Sequence, residues 1–139
     1  MAQRSKKTYR PRSRNTSPLE RDDQMLLFEW LEYASIQHPE LNLAYHIANG
    51  GRRDVREARN LRLQGVKAGV PDICIPVAKG RYSALYVELK RLKGGRVSEE
   101  QRAWIDALNR VGNLAVVAHG FEEAKNVIVD YLKLGKGDA

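Results

Sequence analysis

The stretch from Gly69 to Lys90, which reads GVPDICIPVAKGRYSALYVELK, places the strongest constraint on how this chain folds. Two short runs within it, residues 73–77 and 84–89, are rich in β-branched and aromatic side chains. They flank Lys79-Gly80-Arg81, a sequence that favours a turn. This pattern predicts a β-hairpin.

Two acidic residues are expected to face each other across the hairpin. If the hairpin is symmetric about Gly80, Asp72 at the start of the first strand lies opposite Glu88 in the second. Opposed Cβ atoms are about 5 Å apart and like charges there are destabilising, so the pair needs a compensating cation. Lys90 points to the same side as Glu88, because side chains alternate along a strand. A Mg²⁺ or Mn²⁺ ion would also compensate, since hard divalent ions prefer carboxylate, carbonyl and water oxygens.

The same residues have a simpler interpretation. Asp72 follows Pro71 and would lie in a turn, while Glu88 and Lys90 would form the solvent-exposed face of an amphipathic edge strand. An isolated Glu-x-Lys sequence favours this simpler interpretation. The pairing of Asp72 with Glu88 favours a cation site instead.

The order Pro71-Asp72, then Glu88-Leu89-Lys90, resembles the motif of the PD-(D/E)XK nuclease superfamily. Four segments in the right order are similar to one of its families, the VRR-NUC (virus-type replication-repair nuclease) domain. These segments are Asn49-Gly50-Gly51-x-Arg53, residues 65–72 (GVKAGVPD), residues 86–90 (YVELK) and residues 95–101 (GRVSEEQ). Each motif is weak alone, but the four together are specific, and the resemblance covers about residues 20 to 132.

The patterns along the chain also predict a fold class. Their order is helix, strand, helix, hairpin, helix, strand, helix, which gives an α/β domain with a mixed sheet of about four strands and helices on both sides. The resemblance implies the same architecture, a restriction-endonuclease-like core with a central mixed four-stranded sheet flanked by helices.

The resemblance further implies metal-dependent hydrolysis of phosphodiester bonds in DNA. The ligands that it implies for one or two Mg²⁺ or Mn²⁺ ions are Asp72, Glu88, the backbone carbonyl of Leu89, and Glu20. Lys90 would position the attacking water or neutralise charge in the transition state. Gln101 would orient Lys90 or the water.

Ser17-Pro18-Leu19-Glu20 predicts the start of a first helix that runs to about Ala34 or Ser35. Serine as N-cap, proline at the first helical position and glutamate three residues after the cap form a capping box. One stripe of this helix is apolar apart from its first two members, and it comprises Glu20, Gln24, Leu27, Phe28, Leu31 and Ala34. Capping alone explains Glu20, whereas the resemblance, in which the first helix carries Glu-x-x-x-Gln, places it beside the metal.

The segment before the hairpin is predicted to hold a strand at residues 43–47, a turn at Asn49-Gly50-Gly51 and a helix at residues 52–64. The apolar side chains of this helix would face the core, and Gly65 would end it. Its excess of arginine suits either a solvated face or contact with phosphate. The candidates for DNA contact are Asn49, Arg53 and Lys67.

After the hairpin, Ser98-Glu99-Glu100-Gln101 predicts a helix that opens with a second capping box. Gln101 is either a cap only or, as the resemblance implies, a residue beside the catalytic Lys90. A buried strand at residues 114–118 and an amphipathic helix at residues 121–132 complete the domain. Three histidines belong to no shared motif and are expected to be structural or solvated: His38, His46 and His119.

Length and composition exclude several classes. A chain of 139 residues buries one core. It has no apolar run near the roughly 20 residues of a membrane helix and no apolar h-region of a signal peptide, so we expect a cytoplasmic protein of a bacterial or phage-infected cell, without a membrane partner. Cys74 is the single cysteine, which excludes an internal disulfide and argues for a buried structural thiol. We expect no small-molecule cofactor.

The positive charge is concentrated at the N-terminus. The net charge is +7, and residues 1–14 contain six basic residues and no acidic one. A polyanionic partner is therefore expected, contacted by the N-terminus and by a local patch on a nearly neutral domain. The predicted organisation is a disordered basic arm at residues 1–16, a nuclease domain at residues 17–134 and a flexible C-terminus at residues 135–139.

Two functional hypotheses stay open. The first is an endonuclease that cuts branched or junction DNA in replication, repair or recombination. The alternative is a non-catalytic nucleic-acid-binding module on the same fold, against which the complete set of Asp72, Glu88 and Lys90 argues. A partner-recruiting subunit has no positive support in the sequence.

A homodimer is also predicted. Two sites related by two-fold symmetry would be needed to cut two strands, and two-fold dimers are the commonest soluble assembly. The side of the first helix that carries Trp30, Tyr33 and Ile36 offers an apolar surface for the contact.

Overall fold

A computed structural model describes residues 20–48 and 54–135. The predicted basic arm, the segment 49–53 and residues 136–139 lie outside this part of the chain. Asn49 and Arg53, two residues predicted to contact DNA, therefore lie outside the described residues.

Helices and strands alternate along the described chain. Their order is α1 (Glu20–Ala34), a 3-10 helix (Pro39–Leu43), β1 (Tyr45–His46), α2 (Val55–Leu63), β2 (Ile73–Ile75), β3 (Leu85–Lys90), α3 (Glu99–Arg110), β4 (Leu114–His119) and α4 (Gly120–Leu132). Among these helices, none is long and apolar enough to cross a membrane.

The strands form one mixed sheet in the order β1-β2-β3-β4. β1 pairs antiparallel with β2, and β2 with β3, whereas β3 and β4 are parallel. In the hairpin, Ile73 pairs with Val87 and Ile75 with Leu85, which is the register expected from symmetry about Gly80. The parallel pair needs a crossover connection, and α3 provides it. The predicted α/β class with a mixed four-stranded sheet is confirmed.

The two faces of the sheet differ because side chains alternate along each strand. In β3, Leu85, Val87 and Leu89 are fully buried in the hydrophobic core, and α1 and α4 pack on this face. We call it the core face. Glu88 and Lys90 point to the opposite face, on which α3 packs beside β4. Helices therefore flank both faces, as predicted, and we call the second one the carboxylate face.

The apolar stripe of α1 is rotated from its predicted position. Leu27 and Leu31 are buried as expected, but Trp30 is only 6% exposed and belongs to the core. The expectation that Trp30 contributes to a surface for dimerisation is therefore wrong. Asp23, four residues before Leu27 and so on the same face, is also buried. Of the three residues proposed for that surface, only Tyr33 and Ile36 are exposed.

The second helix and the first strand are shorter than predicted. The Asp54 side chain accepts a hydrogen bond from the Glu57 backbone N–H at 2.7 Å and caps α2, which begins at Val55. None of the residues of α2 is buried, so the expectation that its apolar side chains face the core is wrong. The predicted strand at residues 43–47 is reduced to two residues, because the 3-10 helix that begins at Pro39 extends through Leu43.

The last two helices agree closely with their predictions. The second capping box is present at the start of α3. In α4, the inward-facing residues expected from periodicity include three that are buried, Ala124, Ile128 and Tyr131. Cys74 is buried in β2, as expected for a structural thiol.

Candidate active site

The hairpin brings the two predicted carboxylates together. Asp72 directly precedes β2 and Glu88 lies in β3, and the register continued by one pair past Ile73–Val87 places the two residues opposite each other. The Asp72 Oδ2 atom also accepts a hydrogen bond from the Leu89 backbone N–H at 2.9 Å. The predicted opposition of Asp72 and Glu88 across the hairpin is therefore present in the structure.

Lys90 and Gln101 converge on one oxygen of Glu88. The Lys90 Nζ atom lies 3.2 Å from Glu88 Oε1, and the Gln101 Nε2 group donates to the same atom at 2.8 Å. Glu88 is only 1% exposed and Lys90 only 7%. The lysine is therefore not on a solvent-exposed strand face, as the simpler interpretation required.

Gln101 caps α3 and also contacts Glu88, whose carboxylate lies beside Lys90. Its Oε1 atom accepts a hydrogen bond from the Ser98 backbone N–H at 2.9 Å, and its backbone N–H donates to the Ser98 hydroxyl at 3.1 Å. The other end of the same amide holds Glu88. The start of α3 thus fixes the position of the amide that contacts the carboxylate.

Pro71 determines where the hairpin ladder ends. Continued past Ile73–Val87, the register places Pro71 opposite Leu89. The Leu89 N–H points towards β2, since it donates to Asp72, and in an antiparallel hydrogen-bonded pair the carbonyl of the same residue points the same way. Proline has no N–H to donate to that carbonyl. The ladder therefore leaves the Leu89 carbonyl directed at the end of the hairpin beside Asp72.

Burial and charge oppose each other at this site. Burial raises the pKa of Asp72, while the hydrogen bond from the Leu89 N–H and the charges of His46 and Lys90 act to lower it. One ammonium group faces two carboxylates, of which Glu88 is buried and Asp72 is half-buried. The larger number of carboxylate groups favours a bound cation.

The donor set fits a hard divalent ion. Asp72 and Glu88 offer carboxylate oxygens and Leu89 a carbonyl oxygen, which are the ligand types that Mg²⁺ and Mn²⁺ prefer. Within residues 20–48 and 54–135, no three side chains of His, Cys, Asp or Glu are grouped for metal binding. A site with two carboxylates suits Mg²⁺, which usually keeps several waters. The predicted ligand Glu20 is the first residue of α1, and its side chain is not described.

Two glycines hold the segments around the site at close range. Gly69 has φ +90°, and a Cβ atom there would lie 2.6 Å from the backbone carbon of Glu100. A Cβ atom at Gly95 would lie 2.9 Å from the Cβ of Lys90. Glycine is required where backbone approaches this closely. The segment before Asp72 therefore packs directly on the first turn of α3.

Two residues near the site were not predicted from the sequence. The His46 Nδ1 atom lies 2.8 Å from the Asp72 carbonyl oxygen, so His46 contacts the segment that carries the carboxylate. Tyr45 pairs with Cys74 next to it in the sheet. The positions of both residues near the site follow from the register between β1 and β2, and local sequence patterns do not encode that register.

The residues predicted to contact DNA are only partly described. Lys67 is exposed on the segment between α2 and Asp72. The helix before it exposes three arginines, Arg56, Arg59 and Arg62. Basic side chains therefore precede the carboxylates along the chain and are free of the core.

The fold and the site define an α/β domain of nuclease type, with a carboxylate pair and a lysine on a β-hairpin. The model of the VRR-NUC domain matches residues 19–122, and the chain belongs to the VRR-NUC family. A solved structure described as a VRR_NUC domain protein is similar, with a TM-score of 0.74 and 29% identity over 87% of this chain and 93% of that chain. No curated protein sequence matches the chain. The resemblance inferred from the motifs is confirmed.

Proposed function

We propose that this protein is a metal-dependent endodeoxyribonuclease of the PD-(D/E)XK type. The observation that carries the proposal is the group of Asp72, Glu88 and Lys90 at the end of the hairpin, in which Glu88 and Lys90 are buried and Asp72 is half-buried. Its two carboxylates are balanced by one lysine, and its donor atoms suit a hard divalent ion. Membership of the VRR-NUC family supports a nuclease activity.

Asp72, Glu88 and the Leu89 carbonyl would hold one or two Mg²⁺ or Mn²⁺ ions, with Glu20 as a further ligand. When bound, the metal lowers the pKa of a water molecule and stabilises negative charge on the phosphate. The Leu89 carbonyl is suited to this role because the ladder provides no donor for it. The exposed part of Asp72 leaves an approach for the phosphate.

Lys90 and Gln101 would act on the water and on Glu88. The Lys90 Nζ atom lies 3.2 Å from Glu88 Oε1, and from there it would position the water or neutralise charge on the phosphate. Gln101 would keep Glu88 in one orientation, because its amide is itself fixed by the Ser98 cap. This fixed geometry is what positioning in catalysis requires.

DNA would be held by basic residues around the site. Lys67 lies on the segment that leads to Asp72, and Asn49 and Arg53 precede it in the chain. The basic arm would add phosphate contacts without reading sequence. Deletion of residues 1–14 is expected to weaken DNA binding and to flatten the dependence of log K on log salt. An unchanged slope in a fluorescence-anisotropy titration would mean that the arm does not contact phosphate.

The preferred substrate would be branched or junction DNA, cut by a homodimer in replication, repair or recombination. Two sites related by a two-fold axis would cut two strands. Light scattering is expected to give about twice the chain mass of 15.8 kDa. A strictly monomeric protein, with and without DNA, would favour a nicking or flap-cutting enzyme instead.

A non-catalytic DNA-binding module is the second candidate. It would need the basic residues but has no use for a buried Glu88 opposite a half-buried Asp72, a pair that destabilises the apo protein. The burial of Glu88 therefore favours the enzyme.

The test is cleavage of a panel of labelled linear, nicked, flapped and four-way DNAs with Mg²⁺, with Mn²⁺ and with EDTA. Calorimetric titration of Mn²⁺ into the protein and into its Glu88→Gln variant tests the metal site separately. Cleavage in EDTA would refute metal dependence. Absence of cleavage, together with Mn²⁺ binding that depends on Glu88, would support the metal site and refute the nuclease activity.

A further inference from the structure

Three side chains form a row across the sheet next to the carboxylates. Tyr45 of β1 pairs with Cys74 of β2, and Cys74 pairs with Tyr86 of β3. Cys74 is two residues from Asp72, and Tyr86 is two residues from Glu88. Because alternate residues share a face, the row lies on the carboxylate face, about 7 Å along the strands from the two carboxylates. We call it the tyrosine row.

The tyrosine row is open at one end. The Tyr45 side chain is 50% exposed at the edge of the sheet, and Tyr86 is partly buried. Cys74 between them is only 2% exposed. The helix on this face, α3, packs beside β4, at the other edge of the sheet. An aromatic surface at the β1 edge is therefore continuous with the proposed active site.

The neighbouring Cys74 raises the pKa of Tyr45, so the Tyr45 side chain stays uncharged at neutral pH. A neutral ring adds no repulsion for a nucleic-acid backbone.

We propose that the tyrosine row binds an unpaired base next to the phosphate held by Asp72 and Glu88. Aromatic side chains on an open sheet face stack single-stranded bases. A base in a duplex is already stacked on its neighbours and does not need such a surface. The preferred substrate is therefore branched DNA with at least one unpaired nucleotide beside the scissile phosphate, such as a fork. This inference rests on the proposed function, because it takes DNA as the ligand.

The test is equilibrium binding of fluorescently labelled forked DNA in EDTA, where no hydrolysis occurs. Two forks are compared, one with all its bases and one whose unpaired nucleotides next to the branch are abasic. Tyr45→Ala removes the ring, Tyr45→Phe keeps the ring without the hydroxyl, and Tyr33→Ala is the matched control on α1. Tyr33 is 40% exposed and is not part of the sheet.

Tyr45→Ala is expected to weaken binding of the complete fork about tenfold, while Tyr45→Phe and Tyr33→Ala bind like the wild type. On the abasic fork the wild type should lose the same factor, and Tyr45→Ala should lose nothing more. Equal losses for Tyr45→Phe and Tyr45→Ala would show a hydroxyl contact with phosphate and overturn the proposal. Equal binding of the two forks by the wild type would also overturn it.

Failure of the nuclease hypothesis is distinguishable from failure of this inference. If the wild-type protein binds the complete fork tenfold better than the abasic fork but cleaves neither with Mn²⁺, base binding by the tyrosine row is supported and the nuclease function is refuted. If it binds and cleaves both forks equally well, the nuclease function is supported and base binding by the tyrosine row is refuted.

Discussion

Asp23 and Glu88 are both buried carboxylates, but they lie on opposite faces of the sheet and have different partners. Asp23 accepts one hydrogen bond, at 3.3 Å, from the Phe121 backbone N–H in the first turn of α4. Glu88 is held instead by two side chains, Lys90 and Gln101. The helix N-terminus beside Asp23 offers backbone donors and a partial positive charge. The partners of Glu88 are instead the ammonium group of Lys90 and the fixed amide of Gln101.

The different partners of the two carboxylates indicate different roles, a structural one for Asp23 and a chemical one for Glu88. His119, the N-cap residue of α4, makes no side-chain hydrogen bond there, so Asp23 of α1 acts as a cap supplied by another helix. Its other oxygen, Oδ2, has no hydrogen-bond partner among the described residues. Glu88 is surrounded by groups that can also act on a ligand. Four tests would break or sharpen this comparison.

The largest effect is expected from Glu88→Gln. Without the charged ligand, cleavage should fall by at least about 10³-fold, since a metal stabilises the transition state by several kcal/mol. DNA binding should be kept or improved, because a repulsive charge is removed, and Asp72→Asn should behave alike. Single-turnover cleavage and anisotropy measure the two effects. Glu99→Gln, an exposed residue in the first turn of α3, is the matched control. Wild-type turnover of Glu88→Gln would reject the site.

Lys90→Met is expected to affect both activity and stability. It leaves two carboxylates without their ammonium group, and removal of one partner from a buried pair costs about 3–5 kcal/mol. Without metal, the free energy of unfolding should fall by about that amount, and Mn²⁺ should raise Tm more than in the wild type. Turnover should be lost while Mn²⁺ still binds. The control is Lys93→Met, at an exposed position. A fully active Lys90→Met protein would reduce Lys90 to a structural residue.

Gln101→Ala and Ser98→Ala separate the two contacts of one amide. Each removes part of the capping box and should cost roughly 1 kcal/mol of stability. Only Gln101→Ala also removes the hydrogen bond to Glu88, so it alone should slow cleavage, by about tenfold. Chemical denaturation and single-turnover rates test the pair. If both variants cleave equally fast, the contact between Gln101 and Glu88 has no part in positioning.

Asp23→Asn should give the smallest effect, and one in the opposite direction. Burial raises the pKa of Asp23 above its value of 3.8 in the unfolded chain, and the charge of Asp22 adds to the increase. The folded state therefore holds a proton more tightly, and stability is lost as the pH rises from 3.8 through the higher pKa of the folded state. Asparagine keeps an acceptor for the Phe121 N–H without the charge.

Asp23→Asn should consequently raise Tm by a few degrees at pH 7 and leave it unchanged below pH 3.8, the ordinary value for the carboxyl. Asp22→Asn is the control for general charge removal on α1. A lower Tm at pH 7 would show that the ionised carboxylate stabilises α4 by more than its burial costs.

The hairpin shows how much of the site is encoded locally. A turn at Gly80 and two β-rich runs are sufficient to set the register, and the register places Asp72 beside Glu88. The capping box at Ser98 likewise places Gln101 at a helix start, although its contact with Glu88 depends on how α3 packs. Those parts of the site that lie on one hairpin or in one turn were predictable.

Other features depend on packing that no local pattern contains. In α1, two neighbouring stripes are both partly apolar, and the sheet selects the one with Trp30 and Asp23. In α2, the pattern favours a helix but does not say whether anything packs on it, and Val55 is 84% exposed. The contact between His46 and Asp72 arises only when β1 joins the sheet.

Pro71 marks the place at which the backbone hydrogen bonds between the two strands of the hairpin end. The hairpin could extend by one more pair if residue 71 had an N–H, and the Leu89 carbonyl would then be occupied by a hydrogen bond within the protein. The buried ring of Pro71 withholds that bond. The Leu89 carbonyl oxygen therefore receives no hydrogen bond from residue 71 of the opposite strand. In the proposed metal site, residue 71 would therefore influence the affinity for the cation without contacting it.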